Sequence, residues 1–330
     1  MNETQKKIVN DIHDGTIKTV GMEHKFKFNC TSCGKCCFNN DIIINSYDMI
    51  RLRRALGKTT REILDGNYLE LYIGPVSGLP IAKIKFEKFA GELTKCPFLT
   101  PAFDMNSVIA HLKNVAGGDE KKFKELADAY KKDPAKFKED LQGITIDRWL
   151  CSIHEHRPII CRLFPCGRVQ QVDIEKETIE EKYVLQDTEE DREFCPGWGS
   201  QTEITVKDYL TSQHFWHFRE GSARFTDLLN ILGKNGFIAR TKENENNEIK
   251  PLFEPDSREM VLIGNILYNF DDLPPFSNDP RVRATITDKV VSQEDYMYVM
   301  DSVVAALAGV VNGIKLIQEK EVNNNNDKNN

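Results

Sequence analysis

Apolar positions along this chain form short, changing patterns rather than one repeating period. Ile8, Ile12 and Ile17 give a weak helical spacing at the start. Ile42-Ile43-Ile44 is an apolar run of the length expected of a short buried strand. Met49, Ile50, Leu52 and Leu56 then recur on one face of a helix that Ser46 would cap and Gly57 would stop. Thr59 and Glu62 have capping-box spacing and predict a second short helix ending at Asp65-Gly66. From Tyr68 to Phe89 the texture changes to strands. Leu69, Leu71 and Ile73 alternate, a Gly-Pro turn intervenes, and Ile81, Ile84 and Phe86 follow.

Residues 101–148 read as an insertion rich in Lys, Asp and Glu. Helical spacing appears at Phe123, Leu126, Ala127 and Tyr130 and again at Phe137 and Leu141, with Asp133-Pro134 separating the two. Two polar-alternating strands are expected near 168–174 and 179–186. Thr205 and Asp208 predict the start of a helix running through Tyr209, Leu210, Phe215 and Phe218, followed by another near 222–233. Residues 241–250 are loop-like, 256–270 helical, and Asp271 to Pro280 a connector rich in Pro and Asp. Met297, Met300, Val303, Val304, Leu307, Val310, Val311, Ile314 and Ile317 form a long apolar face, read as core. Asn323 to Asn330 is a low-complexity, disordered tail.

These patterns predict an α+β fold: helices and short strands around a loop-held cysteine metal core, with a helical insertion and a C-terminal helical part. The expected organisation is a metal-binding domain over 1–235, carrying the insertion at 101–148. A mainly helical region over 236–322 and the tail at 323–330 follow. At 330 residues and 40% hydrophobic content the chain can bury a substantial core. Its net charge of −7 argues against a nucleic-acid partner. The basic run Arg51, Arg53, Arg54 and Lys58 reads as the solvated face of a helix. The start lacks the apolar core of a secretion signal. Val303 to Ile317 is interrupted by Gly309, Asn312, Gly313 and Lys315, so no membrane span is expected. A cytoplasmic location follows, where clustered cysteines stay reduced and mean metal or redox chemistry more often than disulfides.

All nine cysteines lie between residues 30 and 195. Cys30, Cys33, Cys36 and Cys37 fall within eight positions around Gly34, which can turn backbone amides toward the sulfurs. Cys96 precedes Pro97, Cys151 and Cys161 flank His154-Glu155-His156-Arg157-Pro158, and Cys166 and Cys195 complete the set. A thiol at every third position lets one loop aim three sulfurs at one point, the grip used for zinc or an iron–sulfur cube. Adjacent side chains usually point apart, so Cys36 and Cys37 suggest two centres, or one centre plus a substrate position. One would use Cys30, Cys33 and Cys36 with a remote cysteine. The other would use Cys37 with others from Cys96, Cys151, Cys161, Cys166 and Cys195. An iron–sulfur cluster of the 4Fe-4S type is favoured over zinc. Lys35, Arg157, Arg162 and Arg168 are close enough in sequence to offset thiolate charge. Arg157 reads first as a residue satisfying carbonyls or thiolates, and His154 and His156 as structural rather than ligating.

Four blocks now stand in order: Cys30-x-x-Cys33-x-x-Cys36-Cys37, Cys96-Pro97-Phe98-Leu99, Cys151 to Pro165, and Cys195-Pro196-Gly197-Trp198-Gly199. They resemble the YkgJ-like cysteine-cluster family of zinc- or iron-chelating proteins, which includes the flagellin lysine N-methylases. The resemblance covers roughly residues 25–220. It implies metal ligation by Cys30, Cys33, Cys36, Cys37, Cys96, Cys151, Cys161 and Cys195, with Cys166 outside the pattern. The insertion is longer than the family's usual gap, and the chain beyond about residue 230 has no counterpart. Three functions stay open: a metal-cluster protein with a redox or accessory role, an S-adenosylmethionine-dependent protein lysine methylase, and a structural zinc protein. The partners implied are a protein substrate or a redox partner. No Gly-x-Gly-x-x-Gly loop follows a strand. S-adenosylmethionine would therefore have to bind at an open cluster position.

Overall fold

The computed structural model describes residues 18–74, 78–132, 134–137, 146–173, 178–235, 237 and 257–328. The early helical spacing at Ile8, Ile12 and Ile17, the spacing at Leu141 and the loop at 241–250 lie outside them. The fold is α+β, with small antiparallel sheets of two or three strands beside the helices. β1 (Thr19–Val20) and β2 (Lys25–Lys27) precede the cysteine loop and β3 (Ile43–Ile44) follows it. Then come α1 (Ser46–Leu56), α2 (Thr60–Asp65), β4 (Leu69–Ile73), β5 (Pro80–Ile84), β6 (Glu87–Ala90), β7 (Leu93–Lys95) and β8 (Leu99–Phe103). The insertion supplies α3 (Met105–Ala116) and α4 (Glu120–Lys132). β9 (Ile146–Cys151), α5 (Ile159–Leu163), β10 (Cys166–Asp173), β11 (Thr178–Leu185), α6 (Glu189–Phe194), β12 (Glu203–Thr205) and α7 (Val206–Ser212) continue the chain. The last helices are α8 (Phe215–Lys234), α9 (Arg258–Tyr268), α10 (Pro274–Ser277), α11 (Pro280–Thr287) and α12 (Gln293–Lys328).

α1 is the centre of the fold. Its cap is Asn45 rather than Ser46: the Asn45 side chain accepts from the Asp48 amide, and the Asp48 carboxylate accepts from the Asn45 amide. Gly57 ends it at φ 61°. The basic run on α1 is not a solvated face. Arg53 is fully buried and ion-paired with Asp271 at 2.6 Å. Arg51 lies over the rings of Phe218 and Tyr296. The reason is that the C-terminal helices cover this side of α1, and no local pattern announces them.

α8 and α12 pack on α1 and on each other. The Tyr47 and Phe218 rings meet edge to face at 5.7 Å. Gly221 allows the approach, since a Cβ there would lie 2.1 Å from the Tyr47 ring. Val299, Met300, Val303, Leu307 and Val311 of α12 are all fully buried. They share one continuous core with residues from Phe26 onward, so the packing does not divide near residue 235. Among the described residues one helix segment, Gln293–Ile317, is long and apolar enough to cross a membrane. Its buried stripe is part of the protein's own core. α12 continues to Lys328, through the Asn-rich stretch read as a disordered tail.

Three further elements differ from the sequence expectation. The helix read through Tyr209 to Phe218 is two, because His214 takes φ 55° and breaks α7 from α8. The connector 271–280 contains a 3-10 turn and α10, and leads into α11. The insertion hangs from a ribbon in which β8 pairs with β9, and its small core of Val108, Leu112 and Tyr130 is separate from the main one.

Candidate metal centre

The four cysteine blocks meet because backbone groups tie each to the next. The loop 30–37 turns at Gly34, φ 72°, and closes as a 3-10 turn in which the Cys37 amide donates to the Gly34 carbonyl at 2.9 Å. Gly34 is needed twice over. Its φ is left-handed, and an added Cβ would fall 2.5 Å from Trp149 Cβ on β9. The second block joins at the loop's far end, where the Cys96 amide donates to the Cys37 carbonyl at 2.8 Å. The third joins the second through the β8–β9 pair, which sets Leu99 opposite Cys151. The fourth returns to the start of the loop: the Asn29 amide donates to the Gly197 carbonyl at 3.1 Å, and a Cβ at Gly197 would meet the Phe28 ring at 2.7 Å.

Cys161 is carried on α5. The buried Asp48 carboxylate accepts from the Ile159 amide at 2.9 Å and so anchors the first turn of that helix to α1. All nine thiols are free, and all nine line one cavity of about 670 Å³. Among the described residues no three Cys, His, Asp or Glu side chains are close enough to hold one ion as they stand. The thiols therefore converge on a common space without closing on a common point. Cys30 is exposed at its edge, whereas Cys96, Cys166 and Cys195 are buried.

Electrostatic neighbours describe the grouping. The Cys161 thiol is held well above its ordinary range by burial and then by Cys96, Cys36 and Cys151. Cys96 is pushed up to about 12 by burial, with Cys151 and Cys36 adding to it. Cys151 is raised by burial, with Cys36 adding and Arg157 opposing. Cys36 is raised most by a side-chain hydrogen bond with Cys37 and next by burial. Cys195 is pushed up to about 11 by burial and then by Cys33, Cys30 and Cys36. Cys166 is pushed up to about 12 by burial alone. It shares the cavity but has no thiol among its perturbing neighbours.

The cations near the thiols differ in role. Arg162 is 2% exposed, donates to the carbonyls of Arg157, Gln213 and Glu155, and stacks 3.7 Å from the Phe218 centroid. Arg157 donates to the His154 carbonyl and to Gln213, as its reading predicted. Neither is ion-paired with a carboxylate among the described residues. Arg162 is pulled down to about 9 by burial and then by Arg157 and Arg51. Arg168 is paired with Glu181 at 3.2 Å, and Lys35 lies over the Phe194 ring. His154 lines the cavity, whereas His156 does not and is lowered to about 4 by burial and then Arg51.

The sequence reading missed the far wall of the cavity, which Asp48, Ser222, Phe225, Thr226, Leu229 and Tyr268 help to form. Asp48 carried one legible signal, the Asn45-x-x-Asp48 capping pair. The others come from α8 and α9 and share no motif with the cysteines. No family model, curated protein or solved structure matches this chain.

Proposed function

We propose that this chain binds metal through its clustered cysteines, as an iron–sulfur protein of the YkgJ-like kind with a redox or accessory role. One observation carries the reading: nine free thiols around a single cavity, beside the buried guanidinium groups of Arg157 and Arg162. Burial disfavours the charged guanidinium group, and the Asp48 carboxylate offsets this only in part at Arg162. A metal bound by several thiolates is anionic and would neutralise Arg157 and Arg162. The same metal would replace the protons that burial holds on the thiols. The eight ligands are those of the family pattern: Cys30, Cys33, Cys36, Cys37, Cys96, Cys151, Cys161 and Cys195. An iron–sulfur cluster bound there supplies one-electron redox chemistry. The chain's residues set its environment: Trp149, Leu99 and Ile159 exclude water, and the two arginines balance charge. Nine reduced thiols suit a reducing compartment, and we assign the protein to the cytoplasm.

Alkylation under native, anaerobic conditions tests the reading. The metal-loaded chain is expected to protect the eight pattern cysteines, and chelation to expose them. Equal labelling before and after chelation would contradict it.

The cavity favours a second reading, the S-adenosylmethionine-dependent lysine methylase. Its volume of about 670 Å³ falls within the roughly 300–1,000 Å³ usual for organic ligands. Equilibrium dialysis of S-adenosylmethionine against the loaded protein decides it, because no retention removes this reading and leaves the first intact.

A further inference from the structure

The cavity that the thiols share reaches past them to a wall of different chemistry. Ser222, Phe225, Thr226 and Leu229 line it from one face of α8, at the i, i+3, i+4, i+7 spacing of a helical stripe. Leu267 of α9 and Ile81 of β5 line it as well, so this wall is largely apolar. Ser222 is its polar end. It is buried, and its Oγ accepts from Arg168 Nη2 at 3.0 Å. Accepting that bond leaves the hydroxyl proton of Ser222 for a further acceptor. We propose that this wall binds an organic carboxylate with an apolar chain, its head group at Ser222 and Arg168 and its chain along Phe225, Leu229 and Leu267. The site goes beyond the metal reading and shares only its cavity.

Charge selects the head group. Among the described residues two guanidinium groups line the cavity, those of Arg157 and Arg168, against one carboxylate, that of Asp48. Both Asp48 oxygens already accept backbone amides, from Asn45 and from Ile159. Arg168 shares its partner Glu181 with Arg219, at 3.2 and 2.9 Å, so one carboxylate serves two cations. The Arg168 side chain is 10% exposed, so solvent does little to screen the imbalance. A carboxylate head supplies the missing charge and accepts from Ser222, whereas an ammonium head would add to the excess and leave the hydroxyl proton unused. Length follows from the helix. From Ser222 to Leu229 the stripe runs about 10 Å, at about 1.5 Å per residue, which suits a chain of about eight carbons.

Isothermal titration of the full, metal-loaded chain with octanoate tests this. Octanoate is expected to bind at one site, about tenfold tighter than hexanoate, because two more methylene groups are buried. Octylamine, with the same chain and the opposite charge, should bind far more weakly. Leu229→Trp fills the wall and should abolish octanoate binding. Ser222→Ala removes only the hydroxyl and should weaken binding about 3–10-fold, which gives a reading even where the tryptophan variant fails to fold. Leu316→Ala, at an exposed position on α12, should change nothing. No octanoate binding, no gain with chain length, octylamine binding as tightly as octanoate, or wild-type affinity in Ser222→Ala would each overturn the proposal. Octanoate binding that disappears on chelation yet ignores Ser222→Ala would put the carboxylate on the metal, and overturns it too. Octanoate held by a chain that takes up neither iron nor zinc would contradict the metal reading and leave this site intact.

Discussion

The helical core and the cysteine region of this protein are held together by different means. In the core, α1, α8 and α12 interlock side chains over a continuous buried surface. In the cysteine region, which lies at the edge of that core, backbone hydrogen bonds, one short strand pair and two close approaches at glycine join the blocks. The first arrangement is complete in itself. The second leaves thiols held up by burial beside two buried guanidinium groups, and on the proposed reading a bound metal would stabilise it most. Stability and metal binding should therefore respond to different substitutions.

The largest expected effect is in the core. Leu307 is fully buried on α12, and Leu307→Ala should lower unfolding free energy by about 2–5 kcal/mol. Denaturant midpoints measure this. Metal per folded chain should stay unchanged, and a fall would blur the contrast. Gly221→Ala comes next, at about 1–3 kcal/mol from overpacking against Tyr47. A Tyr47→Leu background should recover part of that loss, and absence of recovery would place the clash elsewhere.

Gly34→Ala is the reverse case. Its left-handed φ should cost the metal-free chain only about 1–2 kcal/mol. The contact with Trp149, however, should displace the loop and weaken metal affinity about 10–100-fold, as loss of a supporting contact around a metal typically does. Competition with a chelator reads this directly. Equal affinity in wild type and variant would mean that the loop does not need to dock on β9.

The smallest effects concern pH in the metal-free chain. Burial raises Asp48 from 3.8 to about 6. Its folded form holds a proton that the unfolded chain has already released, so its contribution falls as pH rises through that window. Burial, then Arg51 and Arg54, lower His156 from 6.5 to about 4. Here the unfolded chain binds the proton first, so the contribution falls as pH drops from 6.5 toward 4. The two oppose each other. Asp48→Asn should steepen the loss of stability toward acid and His156→Gln should flatten it, as denaturant midpoints across that range would reveal.

The strands β4 and β5, the capping box at Thr59 and the buried stripe of α12 were legible because each is written in local spacing. The convergence of the four cysteine blocks was legible from their composition. The far wall of the cavity was not, since it comes from α8 and α9, whose apolar residues read only as core. The burial of Arg53 was equally hidden: its partner Asp271 is more than 200 positions away. α3 and α11 were missed: α3 buries its apolar face against the insertion's own small core, and α11 has few apolar positions.

The central claim is that these thiols exist to hold iron and sulfide. Iron, acid-labile sulfide and zinc counted on one anaerobically purified sample test it most directly. The account predicts a brown protein with iron and sulfide in matching amounts and little zinc. A colourless chain with stoichiometric zinc, or a folded chain holding no metal at all, would contradict it.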